Sequence, residues 1–313
     1  MRIFEGIENI VELNDPVLTI GTFDGIHLGH QKIIKNLIQE AEATNSDSVL
    51  LTFFPHPRMV LFPENHDLEL IQTQQEKYTK LAEQGLKNII VQPFSLEFAK
   101  QTAVQFIEEI IVKRIGAKKI IIGYDHQFGN AREGNIDFLR SYSERFGYEV
   151  IEIPAKEIDE INVSSTKIRT ALKEGNIEIA NRYLNSSFEI NGLVVHGNKI
   201  GRSIGFPTAN IEVNDSTKLI PKNGVYAVKI MLKEQTYFGM LNIGMRPSIS
   251  DQLSKTIEVH IFEFNELIYG APIRVTFEKH IREEKYFSNL EELKLQLLQD
   301  ASVIRAFFNL PKA

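Results

Sequence analysis

The sequence predicts an α/β protein in two parts: a parallel sheet wrapped by helices, then a small antiparallel β-barrel that carries a C-terminal helix. Between residue 17 and about residue 185, apolar runs of strand length alternate with stretches in which apolar residues recur every three or four positions. After Asn185, short alternating runs rich in β-branched and aromatic residues are separated by glycines, which is typical of a barrel. We therefore expect two domains in the 313 residues, 1–185 and 186–313.

Strands and helices alternate in the first part. The predicted strands are Val17–Thr22, Ser48–Phe54, Asn88–Gln92, Lys119–Gly123 and Glu149–Ile153. The predicted helices are Leu28–Ala43, Gln74–Gln84, Thr102–Ile115 and Asn135–Phe146. This order is typical of a Rossmann-like domain, which binds its ligand at the carboxyl ends of the parallel strands.

The second part begins directly after Ser186 and Ser187, a connection too short for a long flexible tether. Its predicted strands are Phe188–His196, Val225–Leu232, Tyr237–Ile243, Thr256–Phe264 and Ile273–His280. A final helix from Ser288 to about Phe308 is predicted, with Ser288 as its N-cap. The evidence for this helix is the spacing of Leu290, Leu293, Leu297 and Leu298.

Composition and charge exclude several classes of function. The net charge is −6 without a long run of basic residues, so nucleic acid is disfavoured as a partner, whereas a small anionic ligand stays compatible. The absence of cysteine excludes disulfides, thiol nucleophiles and metal sites with cysteine ligands. No apolar run is long enough to cross a membrane, and the first residues do not resemble a secretory signal. We expect a cytoplasmic protein without a membrane partner and of unknown oligomeric state.

The segment Thr19–His30 predicts a phosphate site. An apolar strand ends at glycines, and a helix then begins with His27 and His30, which lie on one side of the helix. The free N–H groups at a helix N-terminus attract anions, and Gly29 leaves room for a phosphate. Two surface histidines explain such a string equally well when it stands alone, but the strand–turn–helix order favours phosphate binding.

A second anion site is predicted further along the first part. The hydroxyls of Ser165 and Thr166 can cap a helix, and Arg169 can bind phosphate oxygens through two parallel N–H groups. Taken alone, an ordinary N-capped helix with a solvated basic face is the better explanation. The paired histidines earlier in the chain change that preference in favour of phosphate binding.

Two loops that follow predicted strands, Thr52–Arg58 and Gly123–Gly129, combine aromatic rings with prolines or an aspartate. Ring faces stack on a flat heterocycle and a carboxylate can accept from its edge, so these loops are candidates for a slot that binds such a ring. Ordinary loop packing explains the same residues equally well.

The second part contains a glycine-rich segment, Gly201–Asn210. Gly201 and Gly205 permit close approach of the backbone to phosphates, and Thr208 and Asn210 offer neutral oxygens suited to magnesium. The segment lacks the pattern of a Walker loop. A glycine-rich turn of the barrel is the alternative.

Glu258 and His260 alternate with apolar residues in Thr256–Phe262, so their side chains share one face of a strand. Solvent exposure is the usual explanation of such a face, and the lining of a closed barrel is the less usual one. His196 and His280 are expected to be loop or surface residues more often than ligands.

With these motifs in this order, the chain resembles the bacterial bifunctional riboflavin kinase/FAD synthetase family over nearly its full length. The residues that resemble the family's adenylyltransferase half are Gly21–Gly25, His27, His30, Thr52–Phe53, Pro55–Pro57, Ser164–Thr166, Ile168 and Arg169. Those that resemble its kinase half are Gly201–Arg202, Pro207–Asn210, Gly224–Tyr226, Asn242–Gly244, Arg246–Pro247 and Glu258.

The resemblance implies two reactions: riboflavin is phosphorylated by ATP to FMN, and FMN is adenylylated by ATP to FAD with release of pyrophosphate. It implies Mg²⁺ as the cofactor, held by Thr208 and Asn210, and Glu258 as the base of the kinase step. For adenylyl transfer it implies His27, His30 and Arg169 as catalytic residues. The implied ATP and phosphate residues are Gly21, Phe23, Gly29, Ser165, Thr166, Gly201 and Gly205, and the implied flavin residues are Asp24, Phe54, Pro55, Pro57, Asp125 and Phe128.

Three positions depart from the family pattern: Thr22 replaces Asn, His126 replaces an aromatic residue and Ser248 replaces Thr. A single-activity paralogue in which one half has decayed, such as one with FMN adenylyltransferase activity alone, stays open as an alternative. The kinase-like motifs disfavour an adenylyltransferase for another substrate. The phosphate-binding residues disfavour a non-catalytic flavin-binding regulator.

Overall fold

The computed structural model describes residues 1–64, 68–123, 126–154, 163–197, 200–247 and 253–311. They form two compact units, Met1–Ser165 and Thr166–Ala313. The first contains a parallel sheet and the second a closed antiparallel barrel with a C-terminal helix, which confirms the predicted fold class. Across the described ranges, no helix is both long enough and apolar enough to span a membrane.

The strands of the first unit form one sheet, and all of its neighbouring strands are parallel. They are β1 (Arg2–Glu5), β2 (Val17–Ile20), β3 (Ser48–Phe54), β4 (Asn88–Pro93), β5 (Lys119–Gly123) and β6 (Glu149–Ile153). Their order is β1-β4-β3-β2-β5-β6. The five predicted strands are confirmed, and β1 is an additional edge strand in which only Phe4 is buried, so no apolar run marks it.

Both faces of this sheet are covered. Alternate residues of the strands point to two different apolar clusters: Leu18, Val49 and Ile120 lie in one, and Val17, Leu50 and Ile121 lie in the other. Strands covered on both faces have continuous apolar runs, which is why they were recognisable without polar alternation. Because the strands are parallel, the loops that follow β2, β3 and β5 all begin at the same edge of the sheet.

The four predicted helices of the first unit begin close to their predicted residues, and the short helix Pro57–Leu61, which starts within a predicted loop, is additional. The helices are α1 (Leu28–Ala43), α2 (Pro57–Leu61), α3 (Gln74–Glu83), α4 (Ala103–Gln105) and α5 (Ile136–Phe146). The helix predicted over Thr102–Ile115 has Thr102 as its N-cap and continues after α4 as a π-helix, Phe106–Ile115. Apolar spacing of three to four residues does not distinguish this wider helix from an α-helix.

Two helices, α6 (Ser165–Glu174) and α7 (Ile177–Leu184), lead into the barrel. Its strands are β7 (Phe188–Val195), β8 (Ala209–Glu212), β9 (Gly224–Leu232), β10 (Gln235–Pro247), β11 (Leu253–Ile261) and β12 (Pro272–Arg282). The order β10-β11-β8-β7-β12-β9 closes on itself as a barrel. A short helix, α8 (Ile200–Ser203), precedes β8, and α9 (Leu290–Phe307) follows the barrel.

The C-terminal helix differs from its prediction in two respects. Its N-cap is Asn289, which accepts from the Glu292 N–H at 2.9 Å, whereas the predicted N-cap Ser288 bonds the Glu292 side chain instead. Only part of the leucine spacing marks the buried face: Leu290 and Leu298 are 53% and 50% exposed, whereas Leu293 and Leu297 are half-buried and Leu297 packs against the apolar cluster of Ala301 and Ile304. The buried residues of α9 are Asp300, Ala301, Ile304 and Arg305.

A buried ion pair attaches α9 to the end of β12. Asp300 accepts from Arg282 Nε at 3.0 Å and from Nη2 at 2.8 Å, and the Asp300 side chain is 3% exposed. Gln296 donates to the same carboxylate at 2.9 Å. Charged residues therefore lie on the face that packs on the barrel, which explains why apolar spacing reveals only part of it.

Candidate active sites

The turn after β2 has an unusual backbone that packing keeps in place. Phe23 and Ile26 have φ angles of 49° and 24°, and both side chains are only 3% exposed. Such conformations cost about 1–3 kcal/mol each and persist where the surroundings determine them, most often at functional sites. A Cβ on Gly21 would lie 2.8 Å from the Phe23 ring, so the glycine is needed for the ring to fold over the turn.

Hydrogen bonds from several elements fix this turn. The Thr22 carbonyl accepts from Lys77 Nζ at 2.9 Å and from Thr52 Oγ1 at 3.2 Å. The Asp24 carbonyl accepts from Ser165 Oγ at 2.8 Å. The Asp24 carboxylate accepts from the N–H of Ile71 at 3.0 and 3.1 Å. The turn is therefore a rigid platform in front of the helix that follows it.

His27 and His30 meet at the start of α1, as their spacing predicts. His27 is the N-cap, and its Nδ1 accepts from the His30 N–H at 3.3 Å. The two rings are stacked with centroids 3.7 Å apart, and Gly29 is a buried residue of the first helical turn. Because Nδ1 of His27 is an acceptor, the neutral ring carries its proton on Nε2, which is the atom able to donate to a ligand.

The surroundings of His30 favour its neutral form. Burial lowers its pKa well below the ordinary value, and the charges of His27 and Lys77 lower it further. Its ring also packs against Phe23, with centroids 4.6 Å apart. Its Nδ1 is buried and has no hydrogen-bond partner within the described part of the chain. A buried polar atom of this kind is suited to a polar ligand, because leaving it unsatisfied is unfavourable.

Lys77 belongs to this site, and the sequence motifs do not indicate it. It lies on α3 and is 4% exposed. Burial lowers its pKa to about 8, while the charge of Asp24 raises it. One signal could have found it: Lys77 precedes the buried Leu81 by one helical turn, so it is a charged residue on the buried face of α3.

The second predicted anion cluster is divided between the two units. Ser165 begins α6 and bonds the turn through the Asp24 carbonyl. Thr166 and Arg169 belong to the second unit, where Thr166 is exposed and Arg169 is half-buried.

The flavin candidates occupy different environments. Phe54 ends β3 and is 38% exposed, and Pro57 begins α2 after the exposed Pro55. Phe128 is 8% exposed and packs against Phe106, with centroids 5.6 Å apart. Asp125 lies outside the described residues.

In the second unit, the barrel register assembles the predicted magnesium and base residues. Glu258 on β11 is paired directly with Asn210 on β8 and with Asn242 on β10. The Thr208 hydroxyl donates to Glu258 Oε2 at 3.2 Å. β8 was not predicted, because Ala209 and Asn210 were assigned to a loop; its pairing with β11 is what fixes these residues.

Glu258 and His260 are neither fully exposed to solvent nor part of the lining of the barrel. They lie on the face opposite to the buried Ile257, Val259 and Ile261, and both are half-buried. Nδ1 of His260 lies 2.8 Å from the Pro207 carbonyl. Burial lowers the pKa of His260, so the ring is neutral and donates this bond from Nδ1–H. The segment before Thr208 is thereby attached to β11.

Glycine is favoured at Gly201 and at Gly205 for different physical reasons. A Cβ on Gly201, in α8, would collide with the Phe206 carbonyl oxygen, so only glycine lets the segment fold back there. Gly205 has a φ of 90°, which favours glycine, and its position is open. Together they bring the chain into β8 next to Glu258.

A pocket of about 290 Å³ adjoins Thr208 in this unit. Its lining includes Arg202, Thr208, Phe264 and Tyr269. The ring of His196 stacks on Tyr269 with centroids 3.9 Å apart, and His196 is exposed as predicted. His280 differs from its prediction: it is half-buried on β12, and burial lowers its pKa.

The candidate magnesium site has mainly neutral oxygen donors. Among the described residues, no three His, Asp or Glu side chains are grouped so that they could hold a metal ion by themselves. Thr208 and Asn210 contribute neutral oxygens beside one carboxylate, which suits a magnesium ion that keeps several waters and is bound mainly by phosphates.

Comparisons with known proteins agree with both units. A family model described as FAD synthetase matches residues 10–167, and one described as riboflavin kinase matches residues 184–308. A solved structure described as a macrolide-efflux protein from Streptococcus pneumoniae is similar with a TM-score of 0.88 and 33% identity, over 97% of this chain and 98% of that one.

Curated relatives are similar over the whole chain. A bifunctional riboflavin kinase/FMN adenylyltransferase from Buchnera aphidicola is 38% identical and covers 100% of both chains. One of the same name from Haemophilus influenzae is 39% identical, over 99% of this chain and 100% of its own. With its paired histidines at one helix start and its Thr208–Glu258 contact in a closed barrel, this chain belongs to the bifunctional riboflavin kinase/FMN adenylyltransferase family.

Proposed function

We propose that this chain phosphorylates riboflavin with ATP to give FMN and then adenylylates FMN with ATP to give FAD and pyrophosphate. The observation that carries this proposal is that each compact unit has its own constellation of phosphate-handling residues. We assign FAD formation to residues 1–185 and riboflavin phosphorylation to residues 186–313, since the FAD synthetase match ends at residue 167 and the riboflavin kinase match begins at residue 184. Both reactions consume ATP, in keeping with a place in the cytoplasm.

The kinase step needs a base, because its nucleophile is a neutral hydroxyl of high pKa. Glu258 is our candidate for this base. It accepts a hydrogen bond from Thr208 and is paired with Asn210, so the base lies beside the two oxygens that we assign to Mg²⁺. When bound, the metal would neutralise phosphate charge and help to orient the ATP phosphates. The adjoining pocket of about 290 Å³, with Phe264 and Tyr269 in its wall, is our candidate for the nucleotide's ring.

Adenylyl transfer needs no base, because the phosphate of FMN is already ionised at neutral pH. Catalysis can rest on alignment and on stabilisation of charge at the α-phosphate. We assign this work to His27 Nε2–H, to His30 and to the N–H groups at the start of α1. Ser165, Thr166 and Arg169 are assigned to the leaving pyrophosphate by their match to the family motif.

The flavin residues are divided by their environments. Phe54, Pro55 and Pro57 form the accessible end of β3 and the start of α2, so we assign the flavin ring of FMN to this loop. The carboxylate of Asp24 accepts backbone N–H groups of Ile71 and Gln72, which makes it a positioning residue of the turn. Phe128 is 8% exposed and packed against Phe106, so most of its ring surface is not available to a flavin.

The environments of Thr22 and His126, two of the three departures from the family pattern, weaken the single-activity alternative. Thr22 contributes its backbone carbonyl to the described hydrogen bonds, so a change of its side chain leaves them intact. His126 stacks on Phe128 with centroids 6.0 Å apart, much as an aromatic residue would. Ser248 lies outside the described residues.

The deciding experiment is a chromatographic time course that separates riboflavin, FMN and FAD. One reaction starts from riboflavin with ATP and magnesium, and a parallel one starts from FMN. FMN that appears first and FAD that follows would establish both activities. FAD formed only from added FMN would support the single-activity alternative, and the absence of both products would contradict the proposal.

A further inference from the structure

One charged side chain of the first unit is buried without an ion pair. Lys77 is 4% exposed, and its ammonium donates to the Thr22 carbonyl at 2.9 Å. No carboxylate of the described chain lies within the 4.0 Å that defines an ion pair with it. Two of its three N–H groups thus have no partner among the described residues. Burying a charge in this state is unfavourable, so its presence needs an explanation.

Attachment of the turn does not explain the charge. The Thr22 carbonyl also accepts from the Thr52 hydroxyl, and the Ser165 hydroxyl donates to the Asp24 carbonyl of the same turn. A neutral donor of similar length, such as glutamine, would bond the Thr22 carbonyl without placing a charge in the interior. The positive charge of Lys77 is therefore best explained by an anionic ligand that binds beside it.

The groups around Lys77 leave its charge incompletely neutralised. Asp24 faces it from the turn, but that carboxylate also accepts the N–H groups of Ile71 and Gln72. His30 faces it from α1, stacked on His27, and the Nδ1 of His30 is unsatisfied in the described structure. On α3 itself, Glu76 is occupied in a capping box with Thr73. The site combines a cation, two imidazoles and a helix N-terminus, and this set favours an anion.

We propose that Lys77 binds a phosphate group of the nucleotide in the adenylyltransferase site, and that its buried ammonium completes its charge pairing only when this phosphate arrives. The proposal rests on the function proposed above and adds a residue to it from outside the contiguous motifs. The ligand chemistry is a phosphoanhydride, as in the leaving pyrophosphate.

Such an arrangement couples phosphate binding to a proton. Burial lowers the pKa of Lys77 to about 8 in the free protein. A bound anion stabilises the ammonium and raises this pKa. Binding therefore takes up protons above about pH 8, and affinity falls as the pH rises through that value.

The test measures binding of magnesium pyrophosphate to the full chain by isothermal titration calorimetry, at about pH 7 and about pH 9, in two buffers of different ionisation enthalpy. Lys77→Met, Lys77→Gln and Lys77→Arg are compared with Lys80→Met. Lys80 is a matched control because it lies on the same helix, with a side chain that is 25% exposed and paired with Glu83.

We expect affinity at neutral pH to fall at least about tenfold in Lys77→Met and Lys77→Gln, because a charge-assisted hydrogen bond is lost. Lys77→Arg should keep most of the affinity but lose the proton uptake that wild type shows at high pH. Lys80→Met should behave as wild type.

Wild-type affinity in Lys77→Gln would mean that Lys77 only holds the Thr22 carbonyl, and this would overturn the proposal. Binding without proton uptake at high pH would overturn it as well. Far-ultraviolet circular dichroism and the thermal unfolding profile of each variant check that the first unit is folded, because riboflavin phosphorylation is assigned to the other unit. Failure of the proposed function would show separately, as a wild-type chain that forms no FAD from FMN. Pyrophosphate binding is measured without turnover, so its result does not depend on that activity.

Discussion

The Thr208 hydroxyl donates to Glu258 at 3.2 Å, so a candidate magnesium ligand and the candidate base of the kinase step share one hydrogen bond. Direct pairing of Asn210 with Glu258 fixes the other candidate ligand at the same place. These three residues depend on the barrel, whereas His27 and His30 depend on the start of α1. Changes at one set should therefore leave the reaction assigned to the other set intact.

Glu258→Gln should abolish most riboflavin phosphorylation. The amide keeps the size of the side chain and an acceptor for Thr208 but removes its basicity, and a general base contributes about 10²–10⁴-fold. FAD formation from supplied FMN should be unchanged. Both rates are measured chromatographically, with the exposed Glu212→Gln on the adjoining strand as control. Equal loss of both reactions in a folded variant would contradict the separation of the sites.

His30→Ala should have the reverse effect. Loss of a donor at developing charge costs about 2.7–4 kcal/mol, so FAD formation from FMN should fall about 10²–10³-fold while FMN formation continues. Lys35→Ala, at an exposed position of α1, is the control. A variant that still forms FAD at a near-normal rate would remove His30 from the catalytic set.

The first unit should lose stability in mild acid because of His30. Its folded pKa lies well below the ordinary value of 6.5, so below about pH 6.5 the unfolded chain binds a proton that the folded chain does not. Stability from this group is complete above that pH and declines as the pH falls. His30→Asn should flatten the dependence of the thermal midpoint on pH, and parallel profiles for the two proteins would refute this explanation.

His260→Phe should weaken the kinase through the Thr208 segment. Phenylalanine retains the ring that packs against Phe206 and Phe262 but cannot donate to the Pro207 carbonyl. Loss of one hydrogen bond costs about 0.5–1.5 kcal/mol, so the KM for magnesium–ATP in FMN formation should rise about two- to thirteenfold. FAD formation from FMN should not change. A fall in kcat with unchanged KM would contradict this role.

Asp300→Asn should destabilise the second unit. It would leave the Arg282 guanidinium uncompensated at a site where Asp300 is 3% exposed, and breaking a buried pair from one side costs about 3–5 kcal/mol. The check is the temperature at which riboflavin kinase activity is lost, with the exposed Glu291→Gln of the same helix as control. Equal inactivation temperatures would show that the pair adds little.

The sequence predicted best those residues whose roles depend on their neighbours in the chain. His27, Gly29 and His30 lie in one turn, so helix geometry alone brings them together. The buried strands were recognisable because both faces of the sheet are covered. By contrast, Lys77 reaches the Thr22 carbonyl from a helix 55 positions along the chain, and no local pattern encodes that distance.

Register and charge account for the remaining differences. β8 has only four residues and is held by pairing on both sides, with Leu193–Val195 of β7 and with Glu258 and Val259 of β11. The buried face of α9 contains Asp300 and Arg305 beside apolar residues, so a search for apolar spacing finds only part of that face. In both cases the partner across the fold, and not the segment itself, determines the structure.

The hydrogen bond from Ser165 to the Asp24 carbonyl joins residues 141 positions apart. During synthesis, the turn with its paired histidines leaves the ribosome long before Ser165 is made. Closing a loop of this length is entropically costly until the intervening strands have paired. Competence for FAD formation should therefore arrive late in the folding of the first unit, after its sheet is complete, so that a nascent chain has the histidines well before it has a finished site.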